Sequence, residues 1–549
     1  MIQDYETTET TTKSGELQKK EIYDVAIIGA GISGLTAAAL LSKSGLKVCV
    51  LEQDANIGGY LAGFSRQGFT FETAIHWLNN CSENGFVSRM FGYIDLNYPR
   101  VKPLNKIRRF VNKDYNYSLT CNPSEYENQL IADFPEDEDG IKRFFAAALQ
   151  LSKSFENYQN MYRSGDTMSL SKKMTRGMKN LKFIMPFIPF VFYSGEKGVV
   201  KGLRKYFKSQ KLIEMFTLEE DMLSILIPIA WAYTGDYQCI PEGGSQTFTK
   251  WLANVFEKNG GIIKTRSEVT GFVVEYNVCK GIKYTSNKED KYIDCKYVIA
   301  ACDAELLYSK FLPKSAKQLQ YVDKLNQADL YSSCFTVYVA LDCPAEELGF
   351  GEEMIYLVHD KVVRVDKANG DPMKAGISIL ANSVTDKTIT PQGKGSLSIY
   401  VPTEINVLNN WGTEKDSYGK IIRGELYKQT KKYIAEQLIQ KLVDNVVPEL
   451  RKHILFYETA SPYTYQRYTF NKNGSIMGAR PGKKNMQLKL AHYQTPVKNV
   501  YLGGHWSELG GGIPLTIKAA SNVSLLILKQ ENEAEFERLA NCMDGVKSV

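Results

Sequence analysis

Long apolar runs are missing from this 549-residue chain: the longest, Phe183 to Tyr193 (FIMPFIPFVFY), is 11 residues with two prolines, about half of the roughly 20 that a membrane-crossing helix needs. No transmembrane helix is predicted. Net charge is nearly missing too, since 67 Lys and Arg face 61 Asp and Glu, so composition gives no case for a nucleic-acid binder. The ten cysteines include no CxxC pair, and the five histidines stand at no ligand spacing. That argues against a zinc site or a disulfide framework and for a reducing, cytoplasmic location with no metal. The first residues, MIQDYETTETTTKSGELQKK, lack the apolar stretch of a signal peptide and the arginines of a transit peptide, so residues 1–21 are expected to be a flexible tail. No internal repeat is visible, and no low-complexity tract beyond that Thr-rich start. What remains is 44% hydrophobic, 23% charged and has a mean hydropathy of −0.28, a soluble globular composition. At roughly 150 residues per domain the length suits an enzyme-sized protein.

Chemistry enters at Tyr23. The text YDVAII, GAGISG, LTAAALLSKSG, LKVCVLE reads as strand, glycine turn, helix, strand, a βαβ unit. Gly29 permits the tight bend, Gly31 lets backbone approach a pyrophosphate, and Gly34 lets helix and strand pack closely. The helix begins at Ile32 and Ser33 with its N–H groups aimed at the phosphates. Glu52, followed by Gln53, closes the second strand, where a carboxylate accepts ribose hydroxyls. Gly58 and Gly59 offer a second side-chain-free approach, as an extended FAD requires and a nicotinamide does not. FAD is therefore the expected cofactor. With no second GxGxxG on a strand-helix turn, no nicotinamide domain is visible.

The remainder sorts into a helix after PEGGSQTF (241–248), a run of short strands to about 300, a helical and aromatic middle, a mixed stretch with a long helix near 424–444, and a last strand, glycine turn and helix. The expected domains are a discontinuous FAD-binding domain (22–105, 236–310 and 490–530), a helical, membrane-facing substrate segment (106–235), a substrate domain with a mixed sheet (311–489), and a C-terminal tail (531–549).

Four motifs resemble the FAD-dependent carotenoid desaturases, carotenoid cis-trans isomerases and retinol saturases, within the wider amine-oxidase-like flavoproteins. They are VAIIGAGISGLTAA with Glu52 and Gly58-Gly59; PEGGSQTF with Val269 in the strands that follow; SPYTYQRYTFNKNGSIMG; and VYLGGHWSELGGGIPLTIKAA. The resemblance implies an α/β fold: a Rossmann-like FAD-binding domain of the GR2 type, a mixed α+β substrate domain and a helical, membrane-facing part. It implies that Gly504, Gly511, Gly512 and Ile513 put backbone N–H groups beside the flavin, and that Val269 meets the adenine through its backbone. The expected activity is saturation, desaturation or isomerisation of carbon-carbon double bonds in a lipophilic polyene. The alternatives are an amine-oxidase-like or fatty-acid-modifying flavoenzyme, and a non-catalytic prenyl-binding escort of the same fold.

His505 stands where related flavoproteins often carry an acidic or small residue, and Glu508 where bacterial desaturases commonly have His. In FETAIHW, Ala74 replaces the family's Gly while His76 keeps its His. His76, His505 and Glu508 are the candidate catalytic groups, each with the alternative of a structural role. Finally, residues 171–212 hold eleven Lys and Arg against one acid. A basic segment around an apolar stretch too short to span suggests peripheral contact with an anionic membrane, against the alternative of core beside a solvated basic face. No nucleic-acid motif accompanies the charge. Oligomeric state is not legible.

Overall fold

The computed structural model describes residues 21–158, 160–219, 221–417 and 419–546. The tail expected over 1–21 lies outside the described residues except for Glu21. Two compact units divide the chain: one takes residues up to 59, 249–330 and 477–539, the other 60–248, 331–476 and 540 onward. Residues 60–105 and 236–248, expected with the nucleotide-binding segments, fall in the second unit.

The first unit is built around the strand Ile22–Ile28. It pairs in parallel with Val48–Leu51 on one side and Glu289–Ala300 on the other. A strand segment with partners on both edges and cover on both faces must be apolar throughout, which is why VAII and VCVL show no alternation. Helix Ile32–Lys43 covers one face and is buried from Ile32 to Ser42, its run of alanines keeping it low on the sheet. Beyond Val48–Leu51 the sheet ends at Ile262–Lys264. On the other side Ser267–Glu275, Val278–Ser286 and the first half of Glu289–Ala300 form an antiparallel meander. The last three residues of that long strand instead pair in parallel with Val500–Leu502. This change of partner places the chain beyond residue 502 next to the chain beyond residue 28.

The second unit holds a seven-stranded mixed sheet in the order Ile454–Ala460, Ser333–Leu341, Gly395–Thr403, Ile377–Leu380, Met354–Leu357, Lys106–Val111, Asn116–Thr120. Only the Met354–Leu357 and Lys106–Val111 pair is parallel. Helix Glu425–Asn445 packs Ile434, Leu438 and Leu442 into one core with Val337 and Ile399 of the sheet. A separate helical core gathers Phe144, Phe207 and Leu226. The apolar run 222–233 is the helix Met222–Tyr233, which contributes its buried face to this core.

Two expectations need correction. Segment 106–235 opens on a β-hairpin, because KIRRFV, which buries Ile107 and Val111, and NYSLT, which buries the alternate residues Tyr117 and Leu119, are joined by a tight polar turn. Residues 531–549 are not all tail: Glu533–Met543 is a helix whose Phe536, Leu539, Ala540 and Met543 are buried, the i, i+3, i+4, i+7 spacing of a packed face.

Candidate cofactor site

At the carboxyl ends of its parallel strands the first unit brings together two glycine turns from opposite ends of the sequence. Gly29 has φ +99°, and a Cβ there would stand 2.8 Å from the Ala301 carbonyl oxygen. A Cβ on Gly34 would lie 2.0 Å from the Gly29 carbonyl oxygen. Gly31 is different, with nothing within 4 Å of its Cβ position. That open space is flanked by Gly58, whose N–H donates to the Ala30 carbonyl at 2.9 Å, and by Gly59. Helix Ile32–Lys43 starts at Gly31 with no side-chain cap and no acid in its first turn. Its first N–H groups, those of Ile32 and Ser33 included, are thus left for an anion.

Glu52 closes the edge of this space. Its carboxylate accepts from the N–H of Ala30 at 2.8 Å and of Asp54 at 2.9 Å. Burial raises its pKa, and these backbone donors oppose the rise. Each oxygen keeps a lone pair for a hydroxyl donor. Half-buried Gln53 follows it, and buried Val269 sits at a bulge where its strand's register slips before Gly271.

The second turn follows Val500–Leu502. Gly504 has φ +73°, and its Cβ position is 3.9 Å from Ser33. The Ser33 hydroxyl donates to the Thr516 carbonyl at 3.1 Å, so helix Ile32–Lys43 and helix Ile513–Glu531 meet near their N-termini. Helix Ile513–Glu531 also starts uncapped, at Gly512 with φ +90°, with no acid in its first turn. Gly510 donates its N–H to the Ala479 carbonyl at 2.8 Å. A Cβ on Gly511 would be 2.3 Å from the Met477 Cβ, so the glycine turn is packed against the end of the NGSIMG motif.

His505 lies in the short turn between these elements. Its Nε2 is buried without a hydrogen-bond partner, and burial pushes its pKa down to about 4, so it is neutral at pH 7. Glu508 has both oxygens engaged, one by the Tyr493 hydroxyl and the other by the Lys518 ammonium at 2.7 Å. It is an anchor for the helix that carries Lys518 rather than a free acid aimed into space.

His76 belongs to the second unit. Its ring is 4.4 Å from that of Tyr400 and 5.8 Å from that of Trp77. Burial, with a smaller contribution from Arg108, lowers its pKa to about 4. Tyr400, Met354 and Leu380 form a small buried cluster against Trp77 and Cys334. The turn before His76 is fixed from several sides: Tyr338 and Tyr465 donate to the Thr73 carbonyl at 3.2 and 3.0 Å, and buried Glu72 accepts from the Ser245 N–H at 2.7 Å and from its hydroxyl. Sequence reasoning missed these tyrosines, which come from a sheet strand and the SPYTYQRY helix, and it missed Ala301, whose carbonyl makes glycine obligatory at 29. The only signal for Ala301 was that KYVIAAC ends a buried strand in small residues.

Two uncapped helix starts, a carboxylate with spare lone pairs, an open space above Gly31 and a buried imidazole nitrogen without a partner suit a long dinucleotide with an anionic centre and a polar ring. Residues 32–528 match the model of the flavin containing amine oxidoreductases. The chain belongs to that family. Its cofactor is FAD. Among relatives, the zebrafish (Danio rerio) all-trans-retinol 13,14-reductase is 24% identical over 92% of this chain and 86% of its own. The 4,4'-diapophytoene desaturase of Methylomonas is 23% identical over 94% and 97%. The chloroplastic prolycopene isomerase of Daucus carota is 21% identical over 90% and 78%. A solved structure of a putrescine oxidase variant aligns with a TM-score of 0.56 at 13% identity, covering 93% of this chain and all of that one, which makes the fold that of the amine-oxidase-like flavoproteins. Family membership and the cofactor make this chain an FAD-dependent enzyme, not a flavin-free escort.

Proposed function

We propose that this flavoenzyme alters carbon-carbon double bonds of a lipophilic polyene, by saturation, desaturation or cis-trans isomerisation. The observation that carries the reading is that a retinol reductase, a carotenoid desaturase and a carotenoid isomerase each align with at least 90% of the chain. Bound FAD supplies hydride transfer to or from carbon. In this reading Glu52 holds the ribose hydroxyls, the N–H groups at Gly31–Ser33 take the pyrophosphate, and Val269 meets the adenine through its backbone. The helix start at Gly511–Ile513, with Gly504, faces the flavin ring, where its partial positive charge favours a reduced, anionic state. His505, neutral and with Nε2 unengaged, offers one hydrogen bond at the ring or substrate, and His76 lies on an apolar and aromatic wall suited to a polyene. Both sites are dry enough to keep imidazoles uncharged, which disfavours a charged amine as substrate.

Contact with an anionic membrane completes the proposal. Helix Leu170–Ile184 has no buried residue. Leu170, Met174, Met178, Leu181, Met185, Ile188 and Phe192 are exposed at every third or fourth position, so they line one side of the segment. Phe183 and Phe187 already supply its core contact, against Phe155. The outward stripe is thus apolar surface the core does not use; exposed Lys173 and Lys182 flank it about a quarter turn to either side, and Lys172 and Lys179 are exposed elsewhere on the same helix. No helix among the described residues is long and apolar enough to cross a membrane.

The test is anaerobic reduction of the bound flavin, then addition of carotenoids, retinol and unsaturated fatty acids in turn. Reoxidation with a saturated product assigns a saturase, and a geometric isomer without reoxidation assigns an isomerase. A desaturase would reduce the oxidised flavin instead. A panel in which no polyene alters the flavin in either redox state, or changes geometry, refutes the proposal.

A further inference from the structure

A second, unrelated cluster lies in the mixed-sheet unit. Asp342 and Cys343 follow the strand Ser333–Leu341, and His453 precedes its neighbour Ile454–Ala460. A carboxylate oxygen, the thiol sulfur and an imidazole nitrogen of these residues all lie within 4.8 Å of one another. His453 Nδ1 is 2.9 Å from Asp342 Oδ1. We propose that Asp342, Cys343 and His453 form a binding site for a borderline-soft divalent cation, Zn²⁺ by the chemistry of its donors.

The backbone holds the three in place. The Asp342 N–H donates to the His453 carbonyl at 3.0 Å, tying the two strand ends together. Next to this bond the ladder skips a residue, with Ala340 opposite Phe456 but Leu341 opposite Ile454. A bulge of this kind re-aims the side chains beside it, and here it sets His453 next to Asp342. Cys343 is fixed from the other side. A Cβ on Gly395 would stand 2.7 Å from the Cys343 carbonyl oxygen and 2.6 Å from the Ala345 nitrogen, and Pro344 stiffens the turn between them.

The donors choose the ion. Sulfur and imidazole disfavour Ca²⁺ and Mg²⁺, which take oxygen, while one thiolate, one carboxylate and one neutral imidazole suit Zn²⁺ and balance its charge. Ligands around a tetrahedral Zn²⁺ at about 2.0 to 2.3 Å stand between 3 and 4 Å apart, roughly the present spacing. Partial exposure of Asp342 and His453, with side chains 43% and 34% exposed, leaves the fourth position to water. On binding, the Cys343 S–H bond gives its proton to solvent as the sulfur–metal bond forms, and nothing is oxidised. The Asp342 and Glu347 carboxylates act on this thiol electrostatically, and they are negative surroundings that a cation relieves. Because Asp342 and His453 are 111 residues apart, no spacing motif could have shown the site.

Co²⁺ tests it, because a thiolate ligand gives cobalt a charge-transfer band. Purified flavin-loaded protein, kept reduced with a phosphine, should bind one equivalent of Co²⁺ with that band and lose it on adding Zn²⁺. Cys343→Ser should abolish the band, and His453→Gln should weaken Co²⁺ binding by about tenfold or more, both with wild-type flavin content. If stoichiometric Co²⁺ gives no charge-transfer band, or if the band is unchanged in Cys343→Ser, the site does not exist. Should Cys343→Ser lose its flavin, undiminished binding in His453→Gln overturns the proposal equally.

Discussion

Two alanine substitutions three residues apart in the same glycine turn should fail in opposite ways. At Gly31 the backbone has φ −73° and ψ 175°, open to any residue, and no atom lies within 4 Å of the new methyl. Alanine reduces the freedom of the unfolded chain, a gain of about 0.4 to 1 kcal/mol, and is a poorer helix cap than glycine by a comparable amount. The flavin-free protein should therefore keep its stability to within about 0.5 kcal/mol. The methyl, however, occupies the space above the helix start, so Gly31→Ala should purify with little flavin. It should also lack the stabilisation that added FAD gives the wild type, about 2.7 kcal/mol at a hundredfold excess over Kd. Gly34→Ala is the reverse. Its methyl would stand 2.0 Å from the Gly29 carbonyl oxygen, and Gly29 cannot retreat because its own Cβ position is 2.8 Å from Ala301. Overpacking of this kind costs about 1 to 3 kcal/mol, and the flavin-free protein itself should be weakened. Flavin-to-protein ratio by absorbance, with urea midpoints of stripped protein, separates the two. A Gly31→Ala variant carrying full flavin would refute the placement of the pyrophosphate.

Replacing Lys173 and Lys182, the lysines that flank the stripe, by Glu should reduce flotation with anionic vesicles by about a hundredfold or more, at about 1 kcal/mol per charge near the surface; undiminished flotation, or equal binding to neutral vesicles, removes the electrostatic account. His505, with its pKa lowered to about 4, refuses a proton that the unfolded chain accepts below about 6.5. Stability should therefore fall as pH drops from 6.5 toward 4, by on the order of 2 to 3 kcal/mol from this group. His505→Gln should flatten that slope in urea midpoints measured at pH 7 and pH 4.5, and an unchanged slope counts against a buried neutral imidazole. Glu72→Ala strips the partner from the buried N–H and hydroxyl of Ser245 and should cost about 3 kcal/mol, with Glu72→Gln recovering part of it in the same denaturation assay.

What the sequence by itself determined is what short segments dictate. The bend at Gly29, the uncapped helix at Gly31 and the carboxylate at Glu52 fall within about thirty residues, where strand and helix periodicity and glycine geometry act locally. The glycine turn at 510–512 was legible for the same reason. The tertiary structure alone decided that these two turns share one space, because that depends on Val298–Ala300 leaving the meander for Val500–Leu502. It also decided that Glu508 is tied to Lys518 and Tyr493, that tyrosines from a distant strand and a distant helix fix the approach to His76, and that Asp342, Cys343 and His453 converge. Local pattern sets which element forms and which face it buries. Which distant elements then become neighbours follows from burying those faces together, a property of the whole chain that no window of sequence contains.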